Sequence, residues 1–121
     1  MAWPDLQLVL AHTFVQRLCG LWLHPPLALN QGLCLMPCNA IHTVGMRHAI
    51  DVVFLDARGQ LRKRVDGLAP MRWAVCNKAR YAVELAAGYC CRHPDHADRI
   101  RQALKGALAQ HRRWDDWRQI P

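Results

Sequence analysis

The run Ile50-Asp51-Val52-Val53-Phe54-Leu55 constrains this chain more than any other stretch. A strand turns successive side chains to opposite faces, and here both faces are apolar apart from Asp51. Such a strand belongs in the middle of a sheet with a layer on each side. The next residues, Asp56-Ala57-Arg58-Gly59, are a turn signal: Asp opens a type I turn, and Gly three residues on supplies positive φ for a bulged hairpin. The returning strand is expected over Gln60–Val65, with Leu61, Lys63 and Val65 on one face and Arg62 and Arg64 on the other.

Further strands are expected at Leu6–Ala11, Leu33–Met36, Trp73–Cys76 and Tyr81–Leu85. Thr13 can cap a short helix over residues 14–19 that Gly20 closes, and Pro25-Pro26 begins an extended loop reaching Gly32. From Asp95 the period changes. Ala97, Ile100, Ala103, Leu104, Ala107, Leu108 and His111 recur every three or four residues and give one apolar helical face. Asp95 and Asp98 at its start and Arg112 and Arg113 at its end suit the helix dipole. The expected class is mainly β (α+β): a small antiparallel barrel-like sheet with one short N-terminal helix and a C-terminal helix over residues 94–113. No repeat or linker interrupts it, so residues 1–121 read as a single domain with its β core over residues 6–90.

A length of 121 residues suits one core, and 52% hydrophobic residues exclude a disordered chain. No apolar stretch reaches the roughly 18 residues of a membrane span. The start Met1-Ala2-Trp3-Pro4-Asp5 lacks the basic region and cleavage site of a signal peptide. A cytoplasmic location with six reduced cysteines is the expectation. The net charge is +7, and thirteen of the sixteen basic residues are Arg. Arg suits phosphate and carboxylate recognition, although GC-rich coding produces the same bias.

Three clusters carry chemistry-bearing side chains. Cys34, Cys38 and His42 offer soft and imidazole ligands for zinc or copper(I), but Pro37 blocks the helix that would align them. Cys90, Cys91, His93 and His96 form a second Cys/His group just before the C-terminal helix. No Cys-x-x-Cys pair occurs, and buried structural cysteines are the commoner outcome. Cys38, His42 and Asp51 supply the residue types of a nucleophilic site without a nucleophile elbow or a Gly-rich oxyanion loop. Third, Asp51 and Glu84 stand inside apolar strands, where an unpaired charge is expensive. Arg47 and Arg80 are their nearest candidate partners along the chain.

The segment His42-Thr43-Val44-Gly45-Met46-Arg47-His48-Ala49-Ile50-Asp51-Val52-Val53-Phe54-Leu55-Asp56-Ala57-Arg58-Gly59 closely resembles the signature of the domain of unknown function family 192. The resemblance continues through Cys19-Gly20-Leu21, the Pro70–Cys76 segment and the stretch from Ala79 to Gly88, covering about residues 6–90. It implies a small β-barrel-like fold with a short helix and no established activity. This chain departs from the pattern after Gly88, where the helix replaces the expected final strand.

The leading expectation is a non-catalytic binding module with an anion-accepting cleft built by His42, Thr43, Met46, Arg47, Asp51, Arg80 and Glu84. Arg47 would contact the anion, His42 would hydrogen-bond or titrate, and Asp51 would orient Arg47. Two alternatives stand beside it. One is metal binding, first at Cys34, Cys38 and His42; the other is nucleic-acid or acidic-partner binding through the basic C-terminal helix. Expected partners are a small anionic ligand or a protein, with no membrane and no cofactor, and the chain itself a monomer or weak dimer.

Overall fold

The computed structural model describes residues 5–11 and 27–118, with side chains through His111. The short helix expected over residues 14–19 lies outside the described residues. Strands β1 (Gln7–Ala11), β2 (Gln31–Leu35), β3 (Ala40–His42), β4 (Ile50–Leu55), β5 (Leu61–Leu68), β6 (Trp73–Val75) and β7 (Tyr81–Ala86) precede helices α1 (Tyr89–Arg92) and α2 (His96–Arg118). Five of the strands form one sheet in the order β1-β2-β7-β4-β5, while β3 and β6 pair apart from it as a two-stranded ribbon. The mainly β, α+β class holds.

The barrel does not. The sheet is open, with β1 and β5 at its edges, and it is mixed because β1 runs parallel to β2 while the other pairs are antiparallel. Two local features account for this. The stretch from Ile41 to Asp56 is broken at Gly45, whose φ of 86° lets the chain turn, so β3 leaves the main sheet and pairs with β6. After Gly88, at φ 88°, the chain enters α1 and α2 rather than a closing strand.

All six residues of β4 are buried, as the double-sided apolar run requires. On one face Ile50, Val52 and Phe54 join Leu33, Leu35 and Ala82 against Ile41 and Ala74 of the ribbon. On the other, Val53 and Leu55 join Cys34, Val83 and Leu85 against Ile100 and Leu104 of α2. The apolar helical face read from the sequence therefore lies on the sheet. Gly32 permits the close approach of β2 there: a Cβ at that position would meet Leu8 Cδ2 at 2.6 Å and Leu85 Cδ2 at 2.9 Å.

The Asp56–Gly59 turn forms as its residues dictate. Gly59 has φ 82° and donates its N–H to the Asp56 carbonyl at 2.9 Å. The Asp56 carboxylate accepts the N–H groups of Arg58 and Gln60 and pairs with Arg62 at 2.9 Å. The Gln60 amide is the main reason its carboxyl lies below the usual range.

Packing by α2 predicts a clear contrast in urea unfolding. Ile100→Ala removes a fully buried side chain and should cost about 2–5 kcal/mol, whereas Arg101→Ala on the exposed side should stay within about 0.5 kcal/mol.

Candidate functional site

Cross-strand register separates the two buried carboxylates. Asp51 stands opposite Leu85, whose side chain packs on the α2 side, while Glu84 stands between Leu33 and Val52, which pack on the ribbon side. One sheet lies between them. The expected cleft combining both is therefore not assembled.

Asp51 is fully buried and has no arginine partner. Its Oδ1 accepts the backbone N–H of Gly67 at 2.9 Å and of Gly88 at 3.2 Å, and its Oδ2 accepts that of Cys90 at 3.0 Å. The expectation that Asp51 orients Arg47 is corrected: Arg47 is exposed in the loop before β4, and backbone amides carry the carboxylate. A bulge makes this possible. Between Ile50 and Val52 the register with β5 slips, so Asp51 faces Asp66 and Gly67 together, and Gly67 takes φ 61° to aim its N–H inward.

The ribbon presents the other four members of the expected cleft that lie near each other. In β3 and β6 the residues alternate, so Ile41 and Ala74 point to the core and His42 and Trp73 point outward. His42 and Trp73 are directly opposed, with ring centroids 5.1 Å apart. Trp73 is 67% exposed, and Val44, Met71 and Val75 add exposed apolar surface on the same strands and turns. Thr43 is buried and locks the base. Its hydroxyl donates to the Ala69 carbonyl at 2.6 Å and accepts the Arg72 N–H at 2.9 Å, while its carbonyl accepts from Met46 and Met71. Met46 packs half-buried against the core beneath.

Charge is distributed unevenly around this frame. Among the described residues, the arginines of β5 and α2 pair with acids: Arg62 with Asp56, Arg64 with Asp66, Arg99 with Asp95 and Arg101 with Asp98. Arg47, Arg72, Lys78 and Arg80 are exposed on the loops flanking the ribbon and, like Arg58 and Lys105 elsewhere, make no ion pair with a described residue. Lys63 reaches from β5 to donate to the Val75 carbonyl at 2.9 Å. On α2, Lys105 is exposed outside these pairs, and the side chains of Arg112 and Arg113 lie outside the described residues.

Glu84 is 5% exposed, and its Oε2 has no hydrogen-bond partner. Arg80, its expected partner, is exposed instead. Burial raises the Glu84 carboxyl to about 7. The cysteines expected to bind metal are spread out. Cys34 is buried on the α2 side with its thiol pushed up to about 12 by burial, Cys38 packs half-buried on the ribbon-side cluster, and His42 is exposed on the ribbon. Sequence reasoning missed Trp73 as a site residue. Its signal was a large aromatic in a short strand, but only the pairing with β3 sets it beside His42.

Two predictions come from this geometry. Thr43→Val should destabilise the fold by about 1–3 kcal/mol, because the Arg72 N–H and Ala69 carbonyl lose a buried partner, and Thr43→Ser should restore most of it. Glu84 is protonated in both folded and unfolded chains at low pH. As pH rises through 4.5, the ordinary value for a glutamate, the unfolded chain ionises first, so stability falls until about pH 7 and then levels off. The total loss should be roughly 3 kcal/mol at about 1.4 kcal/mol per pKa unit, and Glu84→Gln should flatten that slope in urea titrations run from pH 4 to 8.

Comparison with known proteins is consistent with this architecture. A family model for DUF192, described as an uncharacterised ACR (COG1430), matches residues 2–100. No curated protein matches the chain. A solved protein of unknown function from Novosphingobium aromaticivorans DSM 12444 superposes with a TM-score of 0.65 at 15% identity, covering 72% of this chain and 67% of that one. A putative transcription regulator from Sinorhizobium meliloti 1021 superposes with a TM-score of 0.67 at 22% identity, covering 74% of each chain. At these identities the likeness is one of fold. Of the described residues, no helix is long and apolar enough to cross a membrane. With most of its length matched by the family model, the chain belongs to the DUF192 family.

Proposed function

We propose that the protein is a non-catalytic binding module that takes a small anionic ligand with a flat apolar part on the outer face of the β3–β6 ribbon. The observation that carries this reading is the outward pair of His42 and Trp73 beside cations that no acid neutralises. An exposed Trp on a rigid two-stranded ribbon offers a stacking surface, and stacking on an aromatic contributes about 1–3 kcal/mol per base-sized ring. Arg47 and Arg72 flank it and supply the charge. Arg is suited to this because its planar guanidinium can grip a phosphate or carboxylate through two N–H groups.

The other residues of the expected cleft act from below. Thr43 and Met46 hold the turn that carries Arg47, and Glu84 lies in the apolar layer under the ribbon. Arg80 adds charge at the side, its carbonyl accepting the Cys38 N–H at 3.0 Å just ahead of β3. Asp51 has no part in this face.

Three probes separate the contributions in calorimetric titration: adenosine monophosphate, adenosine and inorganic phosphate. The monophosphate should bind more tightly than either fragment. Trp73→Ala should weaken it about fivefold or more, as loss of stacking implies. Arg47→Ala should weaken the monophosphate and leave adenosine unchanged. Absence of saturable binding by all three probes, or binding indifferent to Trp73→Ala, would overturn the reading. Tight binding of an oligonucleotide that the exposed-site change Lys105→Glu weakens and Trp73→Ala does not would move the function to α2.

A further inference from the structure

On the α2 side of the sheet a second group of polar side chains converges, unrelated to the ribbon. One donor atom each from Asp51, Asp66 and Cys90 lies within 4.8 Å of the other two. Cys91 adjoins them, with Sγ 3.6 Å from Asp66 Oδ2. Three elements deliver these residues: β4 brings Asp51, the bulge of β5 brings Asp66, and α1 brings both cysteines. The geometry points to a site for a divalent, borderline-soft cation of the zinc class, held by the carboxylates of Asp51 and Asp66 and the thiolates of Cys90 and Cys91.

The donor set suits that class. Zinc takes four ligands from sulfur, nitrogen and carboxylate oxygen at about 2.0–2.3 Å, which puts neighbouring donors roughly 3.3–3.8 Å apart. Asp51, Asp66 and Cys90 already stand within 4.8 Å of one another, and Cys91, in contact with Asp66, has to turn inward to complete the set. Asp51 cannot move far, because three backbone amides fix it; Oδ1 takes two of them, and Oδ2, which takes one, keeps a lone pair for a cation. Held ligands of this kind are what a metal site requires of its surroundings. Asp66 and Cys91 are exposed and supply the movement.

Arg64 supplies the charge balance. It grips Asp66 through two N–H groups at 2.7 Å each and reaches Cys91 Sγ at 3.7 Å. This guanidinium is the positive charge that faces Asp66 and Cys91. On binding, each S–H bond breaks, its proton passes to solvent, and a sulfur–metal bond takes its place. Arg64 then remains beside two carboxylates and two thiolates, offsetting part of their excess negative charge. His96 lies near enough for its charge to act on Asp66 and rests with Nδ1 2.8 Å from the His93 carbonyl.

The test uses the full chain, reduced and stripped with chelator, titrated with cobalt(II) as the probe. The expected result is one ion per chain with a thiolate-to-cobalt charge-transfer band, displaced by zinc and binding more tightly as pH rises, since protons are released. Cys91→Ser and Asp66→Asn alter exposed residues and should keep the circular dichroism of the parent while weakening cobalt binding at least tenfold. Cys38→Ser should leave the band intact. No charge-transfer band with excess cobalt would overturn the site, and so would a band that survives both Cys91→Ser and Asp66→Asn. Because the ribbon lies on the opposite face, failure here leaves the ligand reading of that face intact, and the reverse also holds.

Discussion

A single carboxylate joins the parts of this fold that the hydrophobic pattern leaves apart. Asp51 lies in the most buried strand of the chain, where an unpaired charge would cost several kcal/mol. It is held by three N–H groups from the β5 bulge, the turn after β7 and the first turn of α1. Hydrogen bonds to an ionised acceptor are about twice as strong as neutral ones, so three of them offset much of the desolvation. Each also satisfies an amide that the bulge or the helix start would otherwise leave unpaired. The direction in which α1 and then α2 leave the sheet follows from that arrangement. Without Asp51, Gly67, Gly88 and Cys90 would lose their common acceptor together.

The two faces of the sheet are closed by unequal means. On one, α2 lays Ile100 and Leu104 over β2, β4 and β7. On the other, the described cover includes a ribbon of two three-residue strands, and only Ile41 and Ala74 of it point inward. Among the described residues no further layer covers this ribbon, and its outward residues are exposed. Small polar residues would serve solubility best there. Instead the positions carry Trp73, Val75 and His42, with Met71 and Val44 in the adjoining turns. Clustered exposed apolar residues rimmed by charge are the usual mark of an interaction surface rather than of packing.

Much of the architecture was legible in the residues because it depends on local pattern. The double-sided run Ile50–Leu55, the Asp56–Gly59 turn and the three-to-four-residue period from Ala97 to His111 each declare themselves within a short window, and each forms as read. Pairing over distance was not legible. Trp73–Val75 reads as a strand, but nothing local says that it pairs with Ala40–His42 rather than with the strand that follows it. The partners of Asp51 were hidden for a different reason. Every residue but proline carries an N–H, so the amides of Gly67, Gly88 and Cys90 leave no side-chain signature, and Arg47 looked the better partner only because it is close in sequence. Glu84 shows the converse. Its burial follows from the apolar strand around it, while Arg80 stays outside because a side chain at a strand entrance reaches solvent more cheaply than the core.

Net charge illustrates why composition alone could not locate a binding face. The chain carries +7, and the C-terminal helix is the segment where basic residues are densest to the eye. There, however, Asp95 and Asp98 sit three or four residues from Arg99 and Arg101 and pair with them, as helical spacing allows. The hairpin arginines meet Asp56 and Asp66 in the same way. Of the remaining acids with described side chains, Asp5 is exposed ahead of β1, while Asp51 and Glu84 are buried inside the sheet and cannot reach a surface cation. Among the described residues the cations outside any ion pair include Arg58, Lys63, Arg92 and Lys105, and four more, Arg47, Arg72, Lys78 and Arg80, lie on the loops beside the ribbon. Folding thus sets four of these cations near the exposed pair His42 and Trp73, a placement that net charge alone does not reveal.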